Sequence, residues 1–153
     1  MAAPVPEALS KARAYCARQE RCQQEVRDKL YGWGAHKGEV EPIIARLIAE
    51  RYLDEKRFAE HFAVSKFRQK GWGRRKIQQA LQQKRVSTPC IRFGLQAIDV
   101  GEYRTMLVNL LRKQMQKLSS VPEPLRGMRA LRYLIGRGFE PDLVRQAMGR
   151  EEE

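Results

Sequence analysis

The sequence predicts an all-α protein of three tandem three-helix repeats that form an elongated, curved array. Alternation of apolar and polar residues with a period of two, typical of half-buried strands, never persists, and Asn-Gly and Asp-Gly hairpin turns do not occur. Apolar residues instead recur at helical spacing along most of the chain. Several apolar positions also recur at offsets of 47 to 53 residues, which indicates an internal repeat.

The repeat is visible where apolar positions coincide after a shift. A shift of 51 residues places Val26 and Leu30 on the pair Ile77 and Leu81, and a shift of 53 places Leu81 on Leu134. These matches predict three repeats, at residues 10–53, 54–100 and 101–149. Because each repeat is too small to enclose its own core, neighbouring repeats should bury one another's apolar faces, as in a solenoid.

Nine short helices follow from the apolar spacing and from helix-ending residues. In the third helix, the spacing places Pro42 in the first turn, where its missing N–H is harmless, and turns Ile44, Leu47 and Ile48 inward. The predicted helices cover residues 8–19, 22–31, 41–52, 54–70, a segment starting at 74, 88–98, 102–117, 123–136 and 140–149.

The fourth helix has the clearest signals at both ends. Asp54 can cap its N-terminus, and Phe58 and Phe62 fall on its apolar stripe. Gly71 can end the helix in the left-handed region, which would let Trp72 pack on Phe67. We therefore expect a tight turn at residues 71–73, followed at once by the next helix.

Charge is concentrated in the middle of the chain. The net charge is +12, from 30 basic and 18 acidic residues, yet residues 61–98 contain nine basic residues and no acidic one. A field this concentrated favours association with polyanions over a role in solubility alone. The basic residues of this segment are Lys66, Arg68, Lys70, Arg74, Arg75, Lys76, Lys84, Arg85 and Arg92.

Composition and motifs exclude several classes of protein. With 42% hydrophobic and 31% charged residues, the chain of 153 residues can form a core, and no apolar run approaches the length of a membrane span. No secretory signal is visible, and three cysteines do not make a disulfide scaffold, so we expect a reducing compartment. No catalytic motif or metal-ligand spacing is present, and we predict no catalytic residue, metal or cofactor. Cys22, beside Arg21, could have a lowered pKa, although a surface position is the simpler reading.

Two central motifs resemble the signature of the RecX family, the regulators of RecA recombinase. The first motif is Tyr-Leu-Asp-Glu-Lys-Arg-Phe-Ala at residues 52–59, and the second is Lys-Gly-Trp-Gly-Arg-Arg-Lys-Ile at residues 70–77. The segment at residues 21–30 is similar to the family's N-terminal motif, except that Cys22 replaces a serine. Arg85 stands where the family often has glycine, so a positive φ at this position would cost about 1 kcal/mol.

The resemblance implies a cytoplasmic, non-enzymatic protein that binds the RecA filament on single-stranded DNA. It implies restraint of RecA's ATP hydrolysis, of filament extension and of strand exchange in DNA repair and recombination. The direction of regulation remains open, because some members of the family favour recombination. We expect a monomer with no membrane association and, at most, weak direct binding to DNA.

The basic segment supplies the predicted binding residues for that partner. We predict contacts with RecA or DNA from Lys66, Arg68, Lys70, Trp72, Arg74, Arg75, Lys76, Lys84 and Arg85. The residues on either side of the 71–73 turn should converge, and their mutual repulsion would be relieved by an anionic partner. Two alternatives stay open: a nucleic-acid-binding helical module that acts without RecA, and a purely structural helical adaptor.

Overall fold

A computed structural model describes residues 5–151 as α-helices joined by short turns. Within this range there are nine helices and no strand, as the all-α prediction required. Their bounds are α1 (Val5–Arg18), α2 (Gln23–Gly32), α3 (Lys37–Ala49), α4 (Glu55–Lys70), α5 (Arg74–Gln83), α6 (Thr88–Gln96), α7 (Val100–Lys117), α8 (Leu125–Gly136) and α9 (Pro141–Glu151).

The helices belong to two compact units. Unit 1 comprises residues 5–61 and 81–94, and unit 2 comprises residues 62–80 and 95–151. In unit 1, α1, α2 and α3 pack on one another around buried aliphatic side chains such as Val26, Leu30 and Leu47. In unit 2, α7, α8 and α9 pack on one another in the same way.

Aromatic rings form the centre of unit 2. The ring of Tyr103 lies 5.6 Å from that of Phe67 and 5.2 Å from that of Phe139, centroid to centroid. All three side chains are buried. Burial of such large apolar groups provides much of the stability of a small helical unit.

The same turn follows α2, α5 and α8. In each case an N–H donates to the carbonyl oxygen five residues earlier, and the residue before that N–H has a positive φ. The hydrogen bonds run from Ala35 to Leu30, from Val86 to Leu81 and from Phe139 to Leu134. These leucines are equivalent in the predicted repeat. The same turn also follows α3, where the N–H of Tyr52 donates to Leu47 at 2.9 Å after Arg51 with a φ of 64°, so the turn alone does not mark a repeat. The division into repeats at residues 10–53, 54–100 and 101–149 stays a proposal.

The third helix differs from the prediction. It begins at Lys37 with His36 as its N-cap, so Pro42 lies inside the helix rather than in its first turn. The buried face therefore includes Val40 and Ile43, whereas Ile48 is 44% exposed. The interior proline removes one intrahelical hydrogen bond, and burial of the apolar face offsets that loss.

Candidate partner-binding surface

The 71–73 turn is built as the sequence predicts. Gly71 has a φ of 65°, and its N–H donates to the carbonyl oxygen of Phe67 at 3.0 Å. Asp54 caps the other end of α4 by accepting the N–H of Arg57 at 3.0 Å. These two ends fix the length of α4 and hence the position at which α5 starts.

The turn is held against the loop between α8 and α9. The N–H of Gly73 donates to the carbonyl oxygen of Arg137 at 2.8 Å, and the N–H of Arg75 donates to that of Gly138 at 2.9 Å. The guanidinium of Arg137 in turn donates to the carbonyl oxygens of Lys70 and Gly71. These contacts fix the backbone from which the basic side chains extend.

The ring of Trp72 contacts the ammonium groups of two lysines. The Nζ atom of Lys66 is 5.2 Å from the centroid of the Trp72 ring, and the Nζ atom of Lys76 is 4.7 Å from it. Cation–π contacts of this kind are worth about 0.5–1 kcal/mol each at exposed sites. The half-buried indole therefore has two cations within cation–π distance of its ring.

Three of the predicted binding residues are engaged in ion pairs. Arg68 binds Glu102 through two hydrogen bonds, of 3.1 and 2.9 Å, which raise the pKa of the Arg68 guanidinium. The ammonium of Lys84 lies 3.6 Å from the carboxylate of Glu25. The third, Arg74, forms an ion pair with Glu140 that is part of a larger hydrogen-bond network.

Arg74 packs against the aromatic core of unit 2 and is itself half-buried. Its guanidinium donates to Glu140 at 2.7 Å and stacks 3.8 Å from the ring centroid of Tyr103. The Tyr103 hydroxyl accepts the N–H of Arg74 at 3.1 Å and donates to Glu140. Burial, together with the hydrogen bond to Glu140, raises the pKa of Tyr103. Arg74 thus stabilises the fold directly.

Three of the remaining basic residues are exposed and, within the described part of the chain, unpaired. Among residues 6–149, whose side chains the structure describes, Lys70, Arg75 and Arg85 are exposed and form no ion pair. Lys66, Lys70, Trp72, Arg75 and Lys76 all belong to unit 2, and we refer to these five residues as the cationic turn. Lys84 and Arg85 belong to unit 1.

Sequence reasoning misses Arg137. This residue is the C-cap of α8, and it supports the cationic turn with its carbonyl oxygen and its guanidinium. The sequence offers one local signal, a basic residue directly before a glycine at the end of an amphipathic helix. In the structure that glycine, Gly138, has a φ of 102° and the helix ends there. Nothing local indicates which distant carbonyl groups the guanidinium reaches.

Cys22 differs from its prediction. Its side chain is fully buried, and burial raises the pKa of the thiol to about 12. The backbone N–H of Cys22 donates to the carboxylate of Glu25 at 3.0 Å, as expected at the start of a helix. Cys22 is therefore an inert core residue, and neither a reactive thiol nor a surface position.

Two further observations concern the part of the chain that the structure describes. None of its helices combines the length and the apolar character needed to cross a bilayer. It also contains no cluster of three His, Cys, Asp or Glu side chains that could hold a metal ion.

Models of known protein families match most of the first two predicted repeats. The first three-helix domain of RecX matches residues 8–47, and the second three-helix domain of RecX matches residues 54–95. The second match contains both of the motifs at residues 52–59 and 70–77 almost entirely. It also contains the whole cationic turn.

Full-length relatives extend the similarity to the rest of the chain. The Regulatory protein RecX of Acinetobacter baylyi is 31% identical over 146 residues, covering 94% of this chain and 87% of the relative. The protein of the same name from Haemophilus influenzae is 28% identical over 137 residues, covering 89% of each chain. One from a Mycobacterium species is 29% identical, covering 91% of this chain and 80% of the relative.

Solved structures agree on the fold. The crystal structure of RecX from Lactobacillus salivarius superposes with a TM-score of 0.88 at 20% identity and covers 95% of both chains. A second crystal structure, of a regulatory protein RecX, gives 0.87 at 21% identity and covers 95% of this chain and 71% of that one. Together with the family models and the full-length relatives, this shows that the chain belongs to the RecX family of regulatory proteins.

Proposed function

We propose that this protein binds the RecA filament on single-stranded DNA and restrains RecA's ATP hydrolysis, filament extension and strand exchange. It acts by binding, without a reaction of its own. Membership of a family of regulatory proteins supports a regulatory role. The choice of RecA as partner rests on the family resemblance of the motifs at residues 52–59 and 70–77.

The main support for the proposal is the unpaired positive charge of the cationic turn. Its exposed members Lys70 and Arg75 have no carboxylate partner among the described residues, unlike Arg68 and Arg74. The backbone that carries them is held by hydrogen bonds from Gly73 to Arg137 and from Arg75 to Gly138, so the two cations extend from one ordered turn with mutual repulsion of their like charges. Carboxylates of RecA or phosphates of DNA on the filament would relieve it.

The proposal includes the oligomeric state of the protein and its location in the cell. It acts as a monomer in the cytoplasm, where RecA works on DNA. Arg85, exposed and with a φ of 59°, adds a further cation at the end of α5.

The direct experiment measures the DNA-dependent ATPase of RecA while the protein is added. The test variant is Lys70→Glu with Arg75→Glu, because both side chains are exposed and neither supports the fold. Arg74 is unsuitable, since its reversal would break the ion pair with Glu140. The control is Lys37→Glu with Lys113→Glu, two exposed cations outside the basic segment whose reversal changes the net charge equally.

We expect the wild type and the control to lower the ATPase rate at stoichiometric amounts, and the test variant to lose most of this effect. An unchanged ATPase rate with the wild-type protein would contradict the proposal. Equal loss in the test and control variants would assign the effect to net charge rather than to the cationic turn.

One observation favours a second function, nucleic-acid binding without RecA. Trp72 is a half-buried ring among cations, an arrangement that single-strand-binding proteins use to stack bases. This function predicts tight binding to free single-stranded DNA, with log affinity falling by roughly 0.7 per phosphate neutralised as log salt rises. Feeble binding to free DNA alongside strong binding to the filament would reject it.

A further inference from the structure

Unit 2 contains a groove that no residue of the cationic turn lines. It runs between α7 and α9, with Arg74 at one margin, and has a volume of about 380 Å³. Side chains of Leu143 and Ala147 form its wall on α9. The volume is within the range of ligand-binding clefts, of roughly 300–1,000 Å³.

The wall on α7 alternates apolar and cationic side chains. Val100, Arg104, Val108 and Arg112 follow one another at intervals of four residues, so they share one face of the helix. Val100 is 65% exposed, and Val108 is half-buried. The groove therefore offers apolar surface to a ligand at more than one point.

The charge of the groove has one sign. None of the residues that line it is acidic. Arg104 and Arg112 are exposed and form no ion pair with any residue whose side chain the structure describes. Arg74 is neutralised by Glu140, which leaves two unpaired guanidinium groups on α7.

We propose that this groove binds an extended peptide segment of a partner protein in which an apolar residue is flanked by two acidic residues. The apolar side chain packs on Val108 and Leu143, and the two carboxylates bind Arg104 and Arg112. Guanidinium groups match carboxylates well because they can donate two parallel hydrogen bonds. This site goes beyond the proposed function, since it does not depend on the cationic turn or on RecA.

The spacing of the two arginines defines the ligand. Eight residues separate Arg104 from Arg112, which corresponds to about 12 Å along a helix axis. In an extended peptide, residues on the same face are two apart, and four residues span about 13 Å. The sequence Glu-x-Leu-x-Glu therefore places its carboxylates at both arginines and its leucine between them.

Nucleic acid fits this groove less well. Phosphates could pair with the arginines, but the sugar–phosphate backbone offers nothing apolar to cover Val100, Val108 and Leu143. No aromatic ring is exposed in the groove for base stacking, since Tyr103 is buried beneath Arg74. Charge and apolar surface together thus favour the peptide.

The test is the binding of a fluorescein-labelled peptide, Gly-Ser-Glu-Thr-Leu-Thr-Glu-Ser-Gly, measured by fluorescence anisotropy with the full chain. Two altered peptides accompany it, one with serine in place of leucine and one with glutamine in place of both glutamates. The protein variants are Arg104→Glu with Arg112→Glu, and Val108→Asn. The matched control is again Lys37→Glu with Lys113→Glu, because Lys113 is next to Arg112 but does not line the groove.

We expect saturable binding that the Arg104→Glu, Arg112→Glu variant weakens by roughly tenfold or more, since each lost ion pair is replaced by repulsion. The serine peptide should also bind roughly tenfold more weakly, as the burial of one leucine requires. Val108→Asn should weaken the leucine peptide and leave the serine peptide unchanged.

Three results would overturn the proposal. They are the absence of binding to wild-type protein, equal binding of the leucine and serine peptides, and equal loss in the arginine variant and its control. Loss of peptide binding in the Lys70→Glu, Arg75→Glu variant, with binding retained in the Arg104→Glu, Arg112→Glu variant, would place the peptide on the cationic turn instead. Melting temperatures of all variants verify that each is folded.

Discussion

The backbone of Gly73 rests directly on the backbone of Gly138. A Cβ atom at Gly73 would lie 2.3 Å from the carbonyl carbon of Gly138, and one at Gly138 would lie 2.5 Å from the Cβ of Lys76. This close approach allows the N–H groups of Gly73 and Arg75 to reach the α8–α9 loop. The two glycines thus connect the cationic turn to the core of unit 2.

Gly73→Ala should therefore destabilise the protein. The added methyl group has no space because its neighbours are backbone atoms, so we expect a loss of about 1–3 kcal/mol in the free energy of unfolding. Gly136→Ala is the control, since a Cβ atom there meets nothing within 4 Å and alanine favours a helix. Urea denaturation of both variants tests this, and equal stability of the two would contradict the close contact.

Tyr103→Phe should cost about 1–3 kcal/mol of stability. The change leaves the Glu140 carboxylate with one partner fewer and the N–H of Arg74 without its acceptor. Tyr133→Phe, at a ring that is 38% exposed, should change stability little. Thermal unfolding distinguishes the two variants, and an unaffected Tyr103→Phe protein would show that the Arg74–Tyr103–Glu140 network does not stabilise unit 2.

Arg85→Gly should stabilise the protein by about 0.5–1 kcal/mol. Arg85 has a φ of 59°, a conformation that glycine adopts without steric strain. Gln79→Gly, at an exposed position inside α5, should instead destabilise by about 1 kcal/mol. Denaturation curves decide the outcome, and a loss of stability in both variants would mean that strain at Arg85 is negligible.

The stability of unit 1 should depend on pH through Glu50. Hydrogen bonds from Arg13, and then from Arg46, lower the pKa of the Glu50 carboxyl from 4.5 to about 2. A lowered folded-state pKa means that the charged form stabilises the fold above pH 4.5 and that this contribution is lost as the pH falls towards 2. Glu50→Gln should therefore be less stable than the wild type at pH 6, and the difference should vanish near pH 2.

Carboxyl chemical shifts provide the accompanying measurement. In the Arg13→Gln variant the pKa of Glu50 should rise towards its ordinary value, and by more than in Arg46→Gln, because the bond from Arg13 is the larger cause. A Glu50 that titrates at the same pH in all three proteins would contradict the role of these two arginines.

Local signals predicted the helix ends well. A glycine after an amphipathic helix indicated the left-handed residue at Gly71, and the resemblance to a family that often has glycine at the position of Arg85 suggested the same conformation there. The conformation of such ends depends on a few neighbouring residues, so the sequence contains what is needed. The error at Pro42 has a different origin, because burial of Val40 and Ile43 outweighs the local preference of proline for a first turn.

The candidate site could be predicted only in part. Composition identified the basic segment, but it could not show that Arg74 binds Glu140, which lies 66 residues away. Such pairs depend on how distant helices pack, and one sequence contains no local signal for them. The groove beside Arg104 and Arg112 was missed for the same reason, since α7 and α9 form it together.

We propose that the exposed cations of the cationic turn, Lys70 and Arg75, bind the RecA filament. The most direct measurement is co-sedimentation of the protein with RecA filaments assembled on single-stranded DNA, for the wild type, for Lys70→Glu with Arg75→Glu, and for Lys37→Glu with Lys113→Glu. The account predicts that the wild type and the second variant sediment with the filament, while the first stays in solution although it remains folded. Sedimentation of all three proteins to the same extent would contradict it.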